Sequence, residues 1–222
     1  MVSELSARSI MEERSNWGNA LVKAYIYIEG GGEDSDLDIR CREGFRKLLL
    51  TCGFKGRMPR LVACGGRDAV HKDFSVALDN QGPKDYMAMW IDSEEPMLDI
   101  ESAWSHLQTI KTVSRWRKPA TAQDHQVLFM TTCMETWIIA DRSALAAHYG
   151  SKLQQSALPP LENLEERSRH DIQDQLVHAT RNCTNAYLKD ERSFEILGKL
   201  TPDALKCLPS FLRVLRILTK HL

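Results

Sequence analysis

Three carboxylates fall where chemistry is done in α/β proteins. Glu29 follows the apolar run Tyr25-Ile-Tyr-Ile28, and Asp92 and Glu94 follow Tyr86-Met-Ala-Met-Trp-Ile91. In an open parallel sheet, ligands gather in the crevice at the carboxyl ends of the strands, near a topological switch. The three acids are therefore expected along one edge. Two ionised carboxylates about 4 Å apart repel by about 4 kcal/mol at an effective dielectric of 20, and a divalent cation is the natural relief. Hard oxygen ligands of this kind suit Mg2+ or Mn2+, so Glu29, Asp92 and Glu94 are the expected metal ligands.

The glycine turn after Glu29, Gly30-Gly-Gly32, fails as a nucleotide fingerprint. The lysine of a P-loop is absent, and Ser35 stands where a dinucleotide loop needs a third glycine or alanine. Glu33, Asp34 and Asp36 would also direct negative charge at a pyrophosphate, so a metal-bridged phosphate is easier to reconcile with this turn than a cradled one. Arg67 and Lys72, after the second glycine pair Gly65-Gly66, are placed to hold a scissile phosphate or its developing charge. A solvated helix face suits them equally.

The elements that must position these side chains follow from the hydrophobic pattern. Residues 21–28 read as a buried strand. Leu37, Cys41, Phe45, Leu48 and Cys52 recur at helical spacing up to a stop at Gly53. Residues 60–64 form a second strand, Val70, Phe74, Ala77 and Leu78 the inner face of a second helix, 86–91 a third strand and 126–132 a fourth. Alternating strands and helices predict a mostly parallel, doubly wound sheet flanked by helices, in the Rossmann style. Residues 134–149 read as one helix. An acidic, proline-containing stretch at 157–167 then leads to a helical tail. The expected division is a polar arm at 1–20, an α/β domain at 21–150 and a helical extension at 151–222 packed on it.

Composition narrows the function classes. The chain has 222 residues, 43% hydrophobic and 27% charged, with 29 basic and 30 acidic residues. That excludes a chain-wide cationic coat for nucleic acid and leaves room for a local basic face. Residues 142–222 carry 12 basic and 9 acidic groups, a mildly basic tail. In the last helix Leu208, Phe211, Leu212, Leu215, Leu218 and Leu222 form an apolar stripe, and Arg213, Arg216 and Lys220 are expected on a solvated side. Six scattered cysteines form no CxxC pair, which argues against a zinc module and a disulfide framework. The first twenty residues lack the apolar core of a signal peptide, and no apolar run approaches a spanning length, so a cytoplasmic protein without a membrane partner is expected. Trp104 and Trp116 lie among basic residues, where base stacking is chemically open, yet core packing is the favoured role.

The segments Tyr27-Ile-Glu-Gly-Gly-Gly-Glu-Asp34 and Trp90-Ile-Asp-Ser-Glu94 together resemble the TOPRIM pattern of topoisomerases, primases and OLD-type nucleases. That family carries a glutamate after its first strand and a DxD after a later one. ACGGRDAVHKDF, IDSEEP, CMETWIIADRSALAAHYG and RSFEILGKL extend the likeness, over roughly residues 22–200, to RloB-type proteins of bacterial defence loci. The resemblance implies that Glu29 is a metal ligand or general base and that Asp92 and Glu94 are the acidic pair. It departs at Glu94, where aspartate is usual. It also implies that Glu135 is a further catalytic acid completing a second metal site; beside Trp137, Ile138 and Ile139 a buried structural ion pair is an equally apt role. Lys189, Arg192 and Ser193 resemble a basic Ser-Phe segment that would contact backbone phosphate.

The function so implied is metal-dependent phosphodiester hydrolysis in anti-phage defence, with an ABC-type or OLD-type ATPase as partner. The substrate is DNA or RNA, transfer RNA included. A homo-oligomer is compatible with the sequence. The competing reading is a non-catalytic binding or sensor subunit of an ATPase complex, since no ATPase motif is present.

Overall fold

A computed structural model describes residues 23–32, 35–113, 116–189 and 192–222. The arm at 1–20, the first two residues of the expected first strand, and Glu33, Asp34 and Arg115 lie outside the described residues.

The chain folds as a Rossmann-like α/β sandwich. Among the described residues four strands, β1 (Ala24–Ile28), β2 (Arg60–Ala63), β3 (Tyr86–Asp92) and β4 (Val127–Met130), form one all-parallel sheet in the order β2-β1-β3-β4. β3 is buried on both faces, which is why it reads as an unbroken apolar run. Tyr86, Ala88 and Trp90 turn to one core, and Met87, Met89 and Ile91 to the other. The chain leaves β1 for β2 on one side and crosses to β3 on the other, so the switch point lies between β1 and β3.

Helix α1 (Ser35–Thr51) buries Cys41, Phe45, Leu48 and Leu49 against Ile26, Ile28 and Trp90, and ends before Gly53, whose φ of +88° is open to glycine at little strain. Helix α2 (Arg67–Asp79) lays Val70, Phe74 and Leu78 on the opposite face. Helix α3 (Ala103–Thr109) joins it there through Trp104 and Leu107, with Trp104 only 4% exposed.

Two expectations about helices need correction. Residues 134–149 form two helices, α4 (Met134–Ala140) and α5 (Arg142–Tyr149). Asp141 breaks them apart: its carboxylate caps α5 by accepting from Ala144 N at 2.9 Å and also accepts from Thr201 N and Thr201 Oγ1. Helices α6 (Arg169–Thr180), α7 (Ser193–Leu197), α8 (Pro202–Leu205) and α9 (Pro209–His221) complete the chain. The buried stripe of α9 is Phe211, Val214, Ile217 and Leu218, while Leu212 is 45% exposed. Arg213 is not solvated either. It is 3% exposed and donates to the carbonyls of Val127 (2.8 Å) and Asp124 (2.7 Å) at the margin of β4.

Ile172, Leu176, Phe194, Phe211 and Val214 share the first core with Ile26, Trp90 and Trp137. The extension thus forms one wall of the interior. Among the described residues, no helix is long and apolar enough to cross a membrane.

Candidate metal and phosphate site

β1 and β3 run side by side with Ile28 opposite Trp90, and the pairing continues one step beyond β1, where Glu29 N donates to Trp90 O at 2.9 Å. Glu29 and Asp92 therefore emerge together at the carboxyl edge, at the switch point. The first two glycine turns are stitched by a reciprocal bridge, Gly30 N to Gly65 O at 2.8 Å and Gly65 N to Gly30 O at 2.9 Å. Gly30 has φ +133°, and a Cβ there would sit 2.6 Å from Phe194 Cζ, so only glycine fits.

A cavity of roughly 260 Å3 opens above this edge, lined by Glu29, Asp92 and Glu135 with Lys189, the glycines, Met134, Ser193 and Phe194. Asp92 is its most perturbed member. Burial raises the proton affinity of its carboxyl well above the ordinary range, and the negative charges of Glu29 and Glu135 raise it further; Lys189 and Arg67 oppose this. Its Oδ1 is buried without a hydrogen-bond partner. Glu135, in the first turn of α4, is 1% exposed and accepts from Tyr187 Oη at 2.6 Å and Gln173 Nε2 at 3.3 Å. These are hydrogen bonds to neutral groups rather than the structural ion pair expected as the alternative.

Arg67 sits beside the cavity as a hub. It donates to both carboxylate oxygens of Glu29 (3.2–3.3 Å), reaches Asp92 O at 3.5 Å, and pairs through Nη1 with Glu94 Oε2 at 3.0 Å. Glu94 takes its second guanidinium from Arg169, at 2.5 Å. Its backbone lies in the left-handed region, φ +64°, secured by Glu94 N donating to Thr132 O at 2.9 Å.

The chain belongs to the family described as a domain of unknown function (DUF4276), which it matches over residues 28–219. The family unit thus contains the whole site, from Glu29 to the residues of α6 and the segment after it. No curated protein and no solved structure matches the chain.

Of the expected site residues, Glu29, Asp92, Glu135 and Lys189 come together on the cavity. Glu94 does not line it, because two arginines hold its carboxylate, and Arg67 serves those acids directly instead of facing an open phosphate site. Lys72 is exposed on α2, and Arg192 donates to Ala186 O at 2.6 Å. Trp116 stacks on His71 with centroids 4.4 Å apart and donates to Asp68, a packing role like that of Trp104. Arg169, Gln173 and Tyr187 were not among the expected residues. The four-residue spacing of Arg169 and Gln173 marks a shared helix face, but nothing in it names the acids they meet.

Among the described residues, no three His, Cys, Asp or Glu side chains form a ready-made ligand group. The fit to a hard cation rests on donor chemistry: three carboxylates around one cavity, one of them with a buried, unpartnered oxygen. By that test the residues suit Mg2+ or Mn2+.

Proposed function

We propose that this protein is a Mg2+- or Mn2+-dependent hydrolase of nucleic-acid phosphodiesters, with a TOPRIM-like site formed by Glu29, Asp92 and Glu135. The carrying observation is Asp92: a carboxyl whose charge is disfavoured by burial and by two neighbouring acids, with one oxygen unpartnered, at the switch point of a parallel sheet. Glu29, Asp92 and Glu135 would hold the cation, which when bound supplies Lewis acidity and a counter-charge for the phosphodiester. Arg67 keeps Glu29 oriented along the edge. Lys189 reaches the cavity with a positive charge suited to a phosphate oxygen, and the glycine turns let backbone approach it closely. The ATPase partner and the anti-phage setting come with the TOPRIM-like resemblance alone.

Calorimetric titration of Mn2+ into the wild-type chain and folded Glu29→Ala and Asp92→Ala variants tests the site, followed by cleavage assays on plasmid DNA and transfer RNA. Binding lost in both variants, with metal-dependent cleavage lost alongside, is the expected result. Turnover retained by Glu29→Ala sinks the assignment.

The neutralisation of Glu29 and Glu94 by arginines favours a second reading, a non-catalytic module that recognises a partner. Equal weak manganese binding in all three proteins, or none, supports it.

A further inference from the structure

A carboxylate at 1% exposure must be protonated, paired with a cation, or held by hydrogen-bond donors. Glu135 takes the third course. Tyr187 and Gln173 occupy one oxygen each, and among the described residues no lysine or arginine lies within ion-pair distance of it. Glu29 and Glu94 are treated differently, since guanidinium groups cancel much of their charge. Neutral donors orient a carboxylate without cancelling its charge, and the Glu135 carboxylate is one of the two acids that act on Asp92.

Tyr187 is itself fixed. It is 3% exposed, and its backbone N donates to Thr180 Oγ1 at 2.9 Å, while that hydroxyl donates to Leu176 O within α6. Gln173 lies one turn after Arg169, so a single face of α6 serves Glu135 and Glu94 together. The ends of β1 and β3 carry Glu29 and Asp92, and the extension supplies both donors to Glu135.

We propose that Tyr187 and Gln173 are positioning residues that hold Glu135 at the cavity through neutral hydrogen bonds, so that the C-terminal extension sets the cation affinity of the cavity. This rests on the metal-site reading above. Donors that orient metal ligands typically change affinity by about 10–100-fold when removed.

The test is manganese titration of the full chain as wild type, Tyr187→Phe, Gln173→Leu, Glu135→Gln and the Tyr187→Phe/Glu135→Gln double variant, with Tyr149→Phe as a control for loss of a buried tyrosine hydroxyl that is not part of the cavity lining. The expected result is about tenfold weaker binding for Tyr187→Phe, a similar loss for Gln173→Leu, none for Tyr149→Phe, and no further loss from Tyr187→Phe once Glu135 is Gln. Should Tyr187→Phe not fold, Gln173→Leu carries the comparison. Unchanged affinity in Tyr187→Phe and Gln173→Leu, or an equal loss in Tyr149→Phe, overturns the positioning role while the metal site stands. A wild-type chain that binds no manganese overturns the metal reading and this inference with it.

Discussion

Asp92 donates its backbone N–H to Oε2 of Glu29 at 3.2 Å, so the last residue of β3 helps orient the carboxylate that follows β1. The donor is backbone and the acceptor is the Glu29 side chain, so the contact survives substitution of Asp92 and is lost with the Glu29 carboxylate. Asp92 can thus be altered while Glu29 keeps this anchor.

Asp92→Asn removes a charge that burial, Glu29 and Glu135 all disfavour. Without divalent metal at pH 7.5 it is expected to stabilise the fold and raise Tm. Saturating Mg2+ should reverse the order, because only the wild type gains from binding. Thermal denaturation with and without metal checks both halves.

Arg67→Ala strips a 13%-exposed guanidinium from Glu29 and Glu94 together. Leaving Glu29 without its counter-charge and Glu94 with Arg169 alone is expected to cost about 3 kcal/mol in urea unfolding. Adding Glu29→Gln to that variant should restore part of the loss, since Glu94 keeps Arg169 whereas Glu29 has lost its guanidinium.

Glu165 provides a pH signature outside the cavity. Burial pushes its carboxyl up to about 7, although Ser210 N–H and O–H donate to it. The unfolded chain releases this proton near 4.5. Between those values the folded state holds the extra proton, so this group's contribution to stability is full below about 4.5 and is lost as pH rises through about 7. Relative to Glu165→Gln, the wild type should therefore gain on the order of 2 kcal/mol between pH 8 and pH 5. Urea midpoints at the two pH values decide it.

Arg213 and Arg216 look alike in sequence and should behave differently. Arg213→Ala leaves the Val127 and Asp124 carbonyls without their buried donor and is expected to cost about 3 kcal/mol. Arg216, 61% exposed at its side chain and paired with Glu101, should cost under about 1 kcal/mol when truncated. Parallel denaturation curves make the comparison.

The sheet was legible because parallel strands buried on two faces spell unbroken apolar runs, and the acids at their ends inherit a position from the fold class. Glu29 and Asp92 were reachable in this way. The displacement of Glu94 from the cavity was not, since it depends on Arg169, 75 residues away, and on a left-handed backbone that glutamate seldom adopts. Tyr187 and Gln173 escaped for the same reason: periodicity reports which face of a helix is apolar, not which buried carboxylate a polar side chain will meet. Arg213 misled because its charge reads as solvent-facing, whereas free carbonyls at the margin of β4 offered it an interior role.

Trp137 ties these distant segments together: its indole N–H donates to Ser210 Oγ at 2.9 Å, its ring meets Trp90 and Phe211 edge-on, and Ser210 in turn donates to Glu165. A nick in the exposed Leu161–Asn163 turn would sever the chain without disconnecting that interior. The two fragments would remain a tightly held pair, and neither would keep a finished hydrophobic surface of its own. Heat should accordingly open both halves in a single transition, with the acidic cavity vanishing at the same temperature as the sheet.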